Sequence, residues 1–105
     1  MKIAVVGLGA VGGLIAARLA RAGHDVSALA RGETLARVRA DGLQVESARG
    51  SFSVPLKASD DAATLGAQEL VVSAVKAPAL PVVAHAIAPL LGPTTVLLPA
   101  MHGVP

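Results

Sequence analysis

Cysteine, tryptophan and tyrosine are absent from this 105-residue chain, and Phe52 is its single aromatic residue. Without cysteine there is no disulfide and no thiolate chemistry, and nothing marks an oxidising compartment, so the cytoplasm is the expected location. With one aromatic ring there is no series of platforms for single-stranded bases, and the basic residues stand singly rather than in a patch. No nucleic-acid partner is expected. The three histidines, at 24, 85 and 102, lack metal-ligand spacing, so no metal site is expected either. Formal charge is scarce too: 15% of residues are charged against 53% hydrophobic, for a net charge of +2. That balance excludes intrinsic disorder and requires a core of Ala, Val, Leu and Ile.

Two uncharged runs imitate membrane segments. Residues 3–17 follow Lys2 without a charge and place Gly9 and Gly13 at the spacing of a membrane-helix contact. The run is 15 residues long, short of the ~20 that a spanning helix needs. Residues 77–105 also lack charge, but Pro78, Pro81, Pro89, Pro93 and Pro99 cut them into short pieces. A buried parallel sheet produces the same hydropathy, and no membrane association is expected.

The pattern along the chain alternates strand and helix. Lys2–Val6 is a short apolar run stopping at Gly7, as a buried strand does. Val11, Ile15, Leu19 and Ala22 then recur at helical spacing, with Arg18 and Arg21 on the other face and Gly23 as the stop. A second strand is predicted over Asp25–Ala30 and a second helix over Glu33–Ala40, ended by Asp41 and Gly42. Leu43, Val45, Phe52, Val54 and Leu56 alternate with polar residues on either side of residues 48–50, which predicts two half-buried strands around a turn. Residues 59–61 cap a short helix ending near Gly66, and a third central strand is predicted over Glu69–Val75. A helix over Ala79–Leu91, ended by Gly92-Pro93, and a strand over Thr94–Leu98 complete the map.

One domain, 1–105, follows: an α/β, doubly wound, mostly parallel sheet with helices on both faces. Ligands of such sheets sit at the carboxyl ends of the strands. The map brings residues 7–12, Arg31, residues 75–76 and residues 99–103 to that one edge.

The edge carries chemistry. GLGAVG at 7–12 follows a strand and opens a helix, the context in which a Gly-x-Gly-x-x-Gly stretch holds a dinucleotide pyrophosphate and the fold is of Rossmann type. Gly7 permits the turn, Gly9 lets the backbone approach the phosphates, and Gly12 lets helix and strand pack closely, with Leu8, Ala10 and Val11 completing the cofactor loop. At the tip of the second strand, where an acid commonly accepts from the adenosine ribose hydroxyls, stands Arg31. A guanidinium offers a planar donor fork to a 2′-phosphate, so the expected cofactor is NADP. Glu33 is the competing candidate, as the ribose acid of an NAD site; the first turn of the second helix also suits its charge. Lys76 follows an apolar strand and either snorkels to solvent or meets a ligand. His102 lies on the same edge, His85 within an apolar helix and His24 in a turn.

Taken together, MKIAVVGLGAVGG, ARLARAGHDVSALARG, ELVVSAVKA, IAPLLGP and the closing MHGVP resemble the N-terminal domain of the ketopantoate reductase (2-dehydropantoate 2-reductase) family across essentially the whole chain. The resemblance implies an NADPH-dependent oxidoreductase that delivers hydride to the keto group of a small-molecule 2-oxo acid in pantothenate synthesis. It implies that Arg31 binds the 2′-phosphate and that Lys76 lines the cofactor and substrate cleft. Family members commonly have Asn, often in QNG, where this chain has His102 in MHG. They also continue into a helical C-terminal domain that supplies the general-acid lysine, so no catalytic residue is expected on this chain, and cofactor binding without turnover is. A stand-alone NAD(P)-sensing module is the alternative, since one fold carries both. Aliphatic surface exposed where a partner domain packs makes a homodimer an expectation as well.

Overall fold

The computed structural model describes residues 1–48, 50–74 and 86–99. In chain order the elements are β1 (Lys2–Val6), α1 (Ala10–Arg21), β2 (Asp25–Leu29), α2 (Gly32–Asp41), β3 (Leu43–Ser47), β4 (Gly50–Val54), β5 (Lys57–Ser59), α3 (Ala62–Leu65), β6 (Gln68–Ser73), a 3₁₀ turn (Ala88–Leu90) and β7 (Leu91–Pro99). Five strands form one sheet in the order β5-β2-β1-β6-β7, every pair parallel. The chain leaves β1 toward β2 and β5, then returns across it to β6 and β7, so strand order reverses between β1 and β6.

Burial explains why β1 is central. Ile3, Ala4, Val5 and Val6 are all buried, on both faces of the strand. Ile3, Val5 and Val72 meet Ala16 and Ala17 of α1, Val38 of α2, and Leu43, Val45 and Val54. On the other face, Ala4, Val6 and Val71 meet Ala62, Leu65, Ile87 and Leu90. Helices thus cover both sides of a strand that is apolar at each position, the signature of a doubly wound parallel sheet. The core is aliphatic, and half-buried Phe52 lies at its margin with the Arg21 guanidinium 4.5 Å from the ring centroid.

The two half-buried strands around a turn are present as β3 and β4, paired antiparallel in a sheet of their own. Their inward residues pack over α1, and Leu56 falls beyond Pro55, past the end of β4. The cap before α3 is also as read: the Asp61 carboxylate accepts from the Ala63 amide at 3.0 Å, and Gly66 ends the helix. The uncharged run over 3–17 divides into β1 and α1, and no helix among the described residues is long and apolar enough to cross a membrane.

Two expectations change. The strand β5, which pairs with β2, has no counterpart in the sequence reading. Of the helix expected over 79–91, only the last residues are described, and there Ala88–Leu90 is a 3₁₀ turn with Leu91 already in β7. Gly92-Pro93 lies inside that strand instead of ending a helix. The cause is Thr95: its hydroxyl donates to the Gln68 carbonyl at 2.6 Å and accepts from the Gly92 amide at 2.7 Å. It bridges a bulge in which β7 advances five residues, Leu91 to Val96, while β6 advances two, Gln68 to Leu70. Thr95→Val keeps the shape but strands both backbone groups, so denaturant unfolding should show a loss of about 1–3 kcal/mol.

Candidate cofactor site

Parallel register sets the site. Val6 pairs with Leu29 on one side and with Ser73 on the other, and Ser73 pairs with Pro99. The four strands therefore end together. The Gly7 amide donates to the Leu29 carbonyl at 3.2 Å and the Ala74 amide to the Val6 carbonyl at 2.9 Å, tying the three exits at the point where strand order reverses.

The glycines have separate tasks. Gly7 turns the chain out of β1 at φ 90°, a left-handed value that other residues rarely adopt. A Cβ on Gly12 would run into the Gly7 carbonyl oxygen and come within 3.0 Å of the Ala74 Cβ, so that position is closed by the protein itself. Gly9 is different. Its φ of −69° suits any residue, and a Cβ there would have no neighbour within 4 Å. Nothing among the described residues requires a glycine at Gly9, which stands at the start of α1. That helix end has no side-chain cap and no acid in its first turn, and the first bond of the helix is the Gly13 amide donating to the Gly9 carbonyl at 2.7 Å. The amides of Ala10, Val11 and Gly12 precede it, so the helix gives them no acceptor, and they carry the positive end of the dipole. The Leu8 side chain packs against the core beneath the loop and leaves only its backbone at the turn.

Beside the loop, β2 runs out at Leu29, and the Ala30 amide donates to the Ser59 carbonyl of β5 at 3.0 Å. Arg31 follows as the N-cap of α2, extended, exposed and without a hydrogen bond or ion pair among the described residues. Gly32, at φ 64°, turns the chain directly behind it. Glu33 sits in the first turn of α2, exposed, 3.9 Å from Arg37. Register thus brings the glycine loop and Arg31 to one edge and leaves Glu33 in the helix.

Lys76, His85 and His102 lie outside the described residues. At the near end of the same segments the sequence reading overlooked two residues. Ala74 is the small side chain against which Gly12 fits, and Ser73 is buried with its hydroxyl lacking any partner among the described residues. A lone serine in the apolar run ELVVSAV was the available signal. The open groove between Arg21, His24, Phe52 and Lys57 lies at the other end of β2 and is no part of this edge. Among the described residues no group of three or more His, Asp or Glu is arranged to hold a metal.

A parallel sheet whose reversal point faces a glycine-turned, uncapped helix end defines the Rossmann-type α/β class. The comparisons narrow it. The family model for ketopantoate reductase PanE/ApbA matches residues 3–105, and the chain belongs to that family. It is 43% identical to the 2-dehydropantoate 2-reductase of Mesorhizobium japonicum over 106 aligned residues, covering all of this chain and 32% of the relative. It superimposes with a TM-score of 0.92 on a Ralstonia solanacearum protein solved as a candidate ketopantoate reductase, 50% identical, over 99% of this chain and 32% of that one. D-mandelate dehydrogenase, solved with NADH and anilino(oxo)acetate, gives a TM-score of 0.89 at 24% identity, over all of this chain and 34% of that one, a likeness of fold alone. The chain spans about a third of the length of the relatives it matches.

Proposed function

We propose that residues 1–105 form the NADP-binding domain of a reductase related to 2-dehydropantoate 2-reductase, whose parent enzyme converts a 2-oxo acid to a 2-hydroxy acid in the cytoplasm. Gly9 carries the proposal: its glycine answers no demand of the described residues, and it stands at the uncapped end of α1. A diphosphate approaching there meets backbone amides and the helix dipole without a Cβ in the way. The backbone of Gly7, Leu8, Gly9, Ala10, Val11 and Gly12 holds the pyrophosphate, and Arg31, exposed and unpaired at the neighbouring strand end, pairs with the 2′-phosphate. Lys76 completes the set on the strength of the family resemblance, and His102, standing where the family commonly has Asn, joins it as a hydrogen-bond donor. NADPH, when bound, supplies the hydride for the substrate carbonyl. A reduction of this kind also needs a proton donor and a closed site. No residue of this chain is assigned that proton, so the chain binds cofactor without turning over substrate, and the helical remainder of the parent provides the general acid. A homodimer accompanies this reading as the partner state.

Gly9→Val tests the proposal because it separates binding from folding. The substitution should cost about 1 kcal/mol of stability, as a poorer residue at a helix N-cap. It should weaken NADPH binding roughly tenfold to a hundredfold in a calorimetric titration, the worth of one or two charge-assisted hydrogen bonds. A Gly9→Val chain that binds NADPH as tightly as the unmodified one would remove the diphosphate from this loop.

A further inference from the structure

The end of the sheet opposite the cofactor edge carries an open groove. It lies where α1 ends, where β2 begins at Asp25, and where the chain passes from β4 through Pro55 to Lys57, the first residue of β5. Its volume is about 850 Å³, and its lining residues all belong to the described part of the chain. Sites of ~300–1,000 Å³ hold small organic molecules. Buried Val26 and Val54, with half-buried Phe52 and Leu56, form its apolar part. Two exposed cations stand beside them, Arg21 from α1 and Lys57 from β5, and neither makes an ion pair among the described residues. Asp25 is the one carboxylate in the lining.

Arg21 is already placed. Its guanidinium lies 4.5 Å from the centroid of the Phe52 ring. A contact through the face of the guanidinium leaves the N–H donors of its edge for a carboxylate and orders the group in advance. The carbonyls at the end of α1 are taken as well: those of Arg18, Leu19 and Ala20 accept from the amides of Ala22, His24 and Gly23. An anion in the groove therefore meets cations rather than bare helix acceptors.

We propose that this groove is a second ligand site, one that takes an aliphatic monocarboxylate. The acyl chain lies on Phe52, Val54 and Leu56, and the carboxylate meets Arg21 and Lys57. Two cations against one carboxylate leave an excess of one positive charge, which a monoanion balances. A cationic amphiphile leaves Arg21 and Lys57 unpaired, and a short acid leaves the apolar surface wet. The five residues of β2, about 16 Å, separate the groove from the glycine loop, so the two sites are distinct. The inference does not rest on the cofactor reading, and its test contains no NADPH.

Octanoate is the probe, followed through amide chemical shifts because the chain has no tryptophan or tyrosine to report on it. It should bind with a Kd on the order of 1 mM and shift the amides of His24, Ser53 and Leu56, while those of Gly9 and Arg31 stay in place. Acetate, which lacks the chain, should bind at least about tenfold more weakly, and so should octylammonium, which lacks the anion. Arg21→Gln combined with Lys57→Gln should weaken octanoate about tenfold and keep the thermal midpoint, since both side chains are exposed. If the double variant fails to fold, Lys57→Gln alone should weaken octanoate about threefold. Acetate or octylammonium binding as tightly as octanoate overturns the proposal. An affinity indifferent to the substitutions, shifts at Gly9 and Arg31 instead of the groove, or no binding up to about 10 mM overturns it equally.

Discussion

Gly12→Ala is expected to unfold the chain, or to cost at least about 3 kcal/mol, in contrast with the about 1 kcal/mol expected for Gly9→Val three residues earlier in the same loop. The added methyl has nowhere to go. It meets the Gly7 carbonyl oxygen, a backbone atom fixed by the turn out of β1, and the Ala74 Cβ at the end of β6. Neither can swing aside as a long side chain would, because the Gly7 amide is bonded to Leu29 and the Ala74 amide to Val6. Relief therefore means lifting α1 from the sheet, and with it Ala16 and Ala17, both fully buried against β1. A domain of this size has about 5–15 kcal/mol of stability in all, so the loss is a large share of it. Denaturant unfolding of Gly12→Ala beside Gly9→Val measures the difference; equal stabilities would show that the loop yields where the structure holds it fixed.

Arg31→Ala is expected to weaken NADPH binding by about tenfold to a hundredfold and to leave NADH binding within about threefold. Arg31 is exposed and has no partner among the described residues, so removing its guanidinium disturbs no contact of the fold. Any change must come from the ligand. Only a cofactor with a 2′-phosphate offers the guanidinium a dianion, and the difference between the two titrations isolates that group. The effect should shrink with added salt, because the pair forms at an exposed position. Glu33→Gln supplies the counter-test: with Glu33 in the first turn of α2, its loss should leave NADH affinity within about threefold. A large loss of NADH binding there would instead make Glu33 the ribose acid.

The first third of the chain was legible because its signals are local. KIAVV, the glycine spacing, the helical recurrence from Val11 and the stop at Gly23 each act within a few residues, and β1, α1 and β2 stand where they were read. The fold class followed from the alternation. What was not legible depends on contacts distant in sequence. β5 is a strand because three residues reach β2 across the hairpin, a pairing that Lys57-Ala58-Ser59 does not announce. β7 begins three residues before the expected Thr94 because the Thr95 hydroxyl reaches Gln68, 27 residues away, and stabilises a bulge over Gly92-Pro93. At the site, the tasks of Gly7 and Gly12 were readable from spacing. The fit of Gly12 against Ala74 and the unpartnered hydroxyl of Ser73 belong to the β1–β6 register and needed the structure.

This edge, on the reading proposed above, takes a phosphorylated dinucleotide. Side-by-side calorimetric titrations of the unmodified chain with NADPH and with NADH test it most directly. NADPH should bind at least about tenfold more tightly, the worth of a charge-assisted contact to the 2′-phosphate. Equal affinities, or tighter binding of NADH, would contradict it.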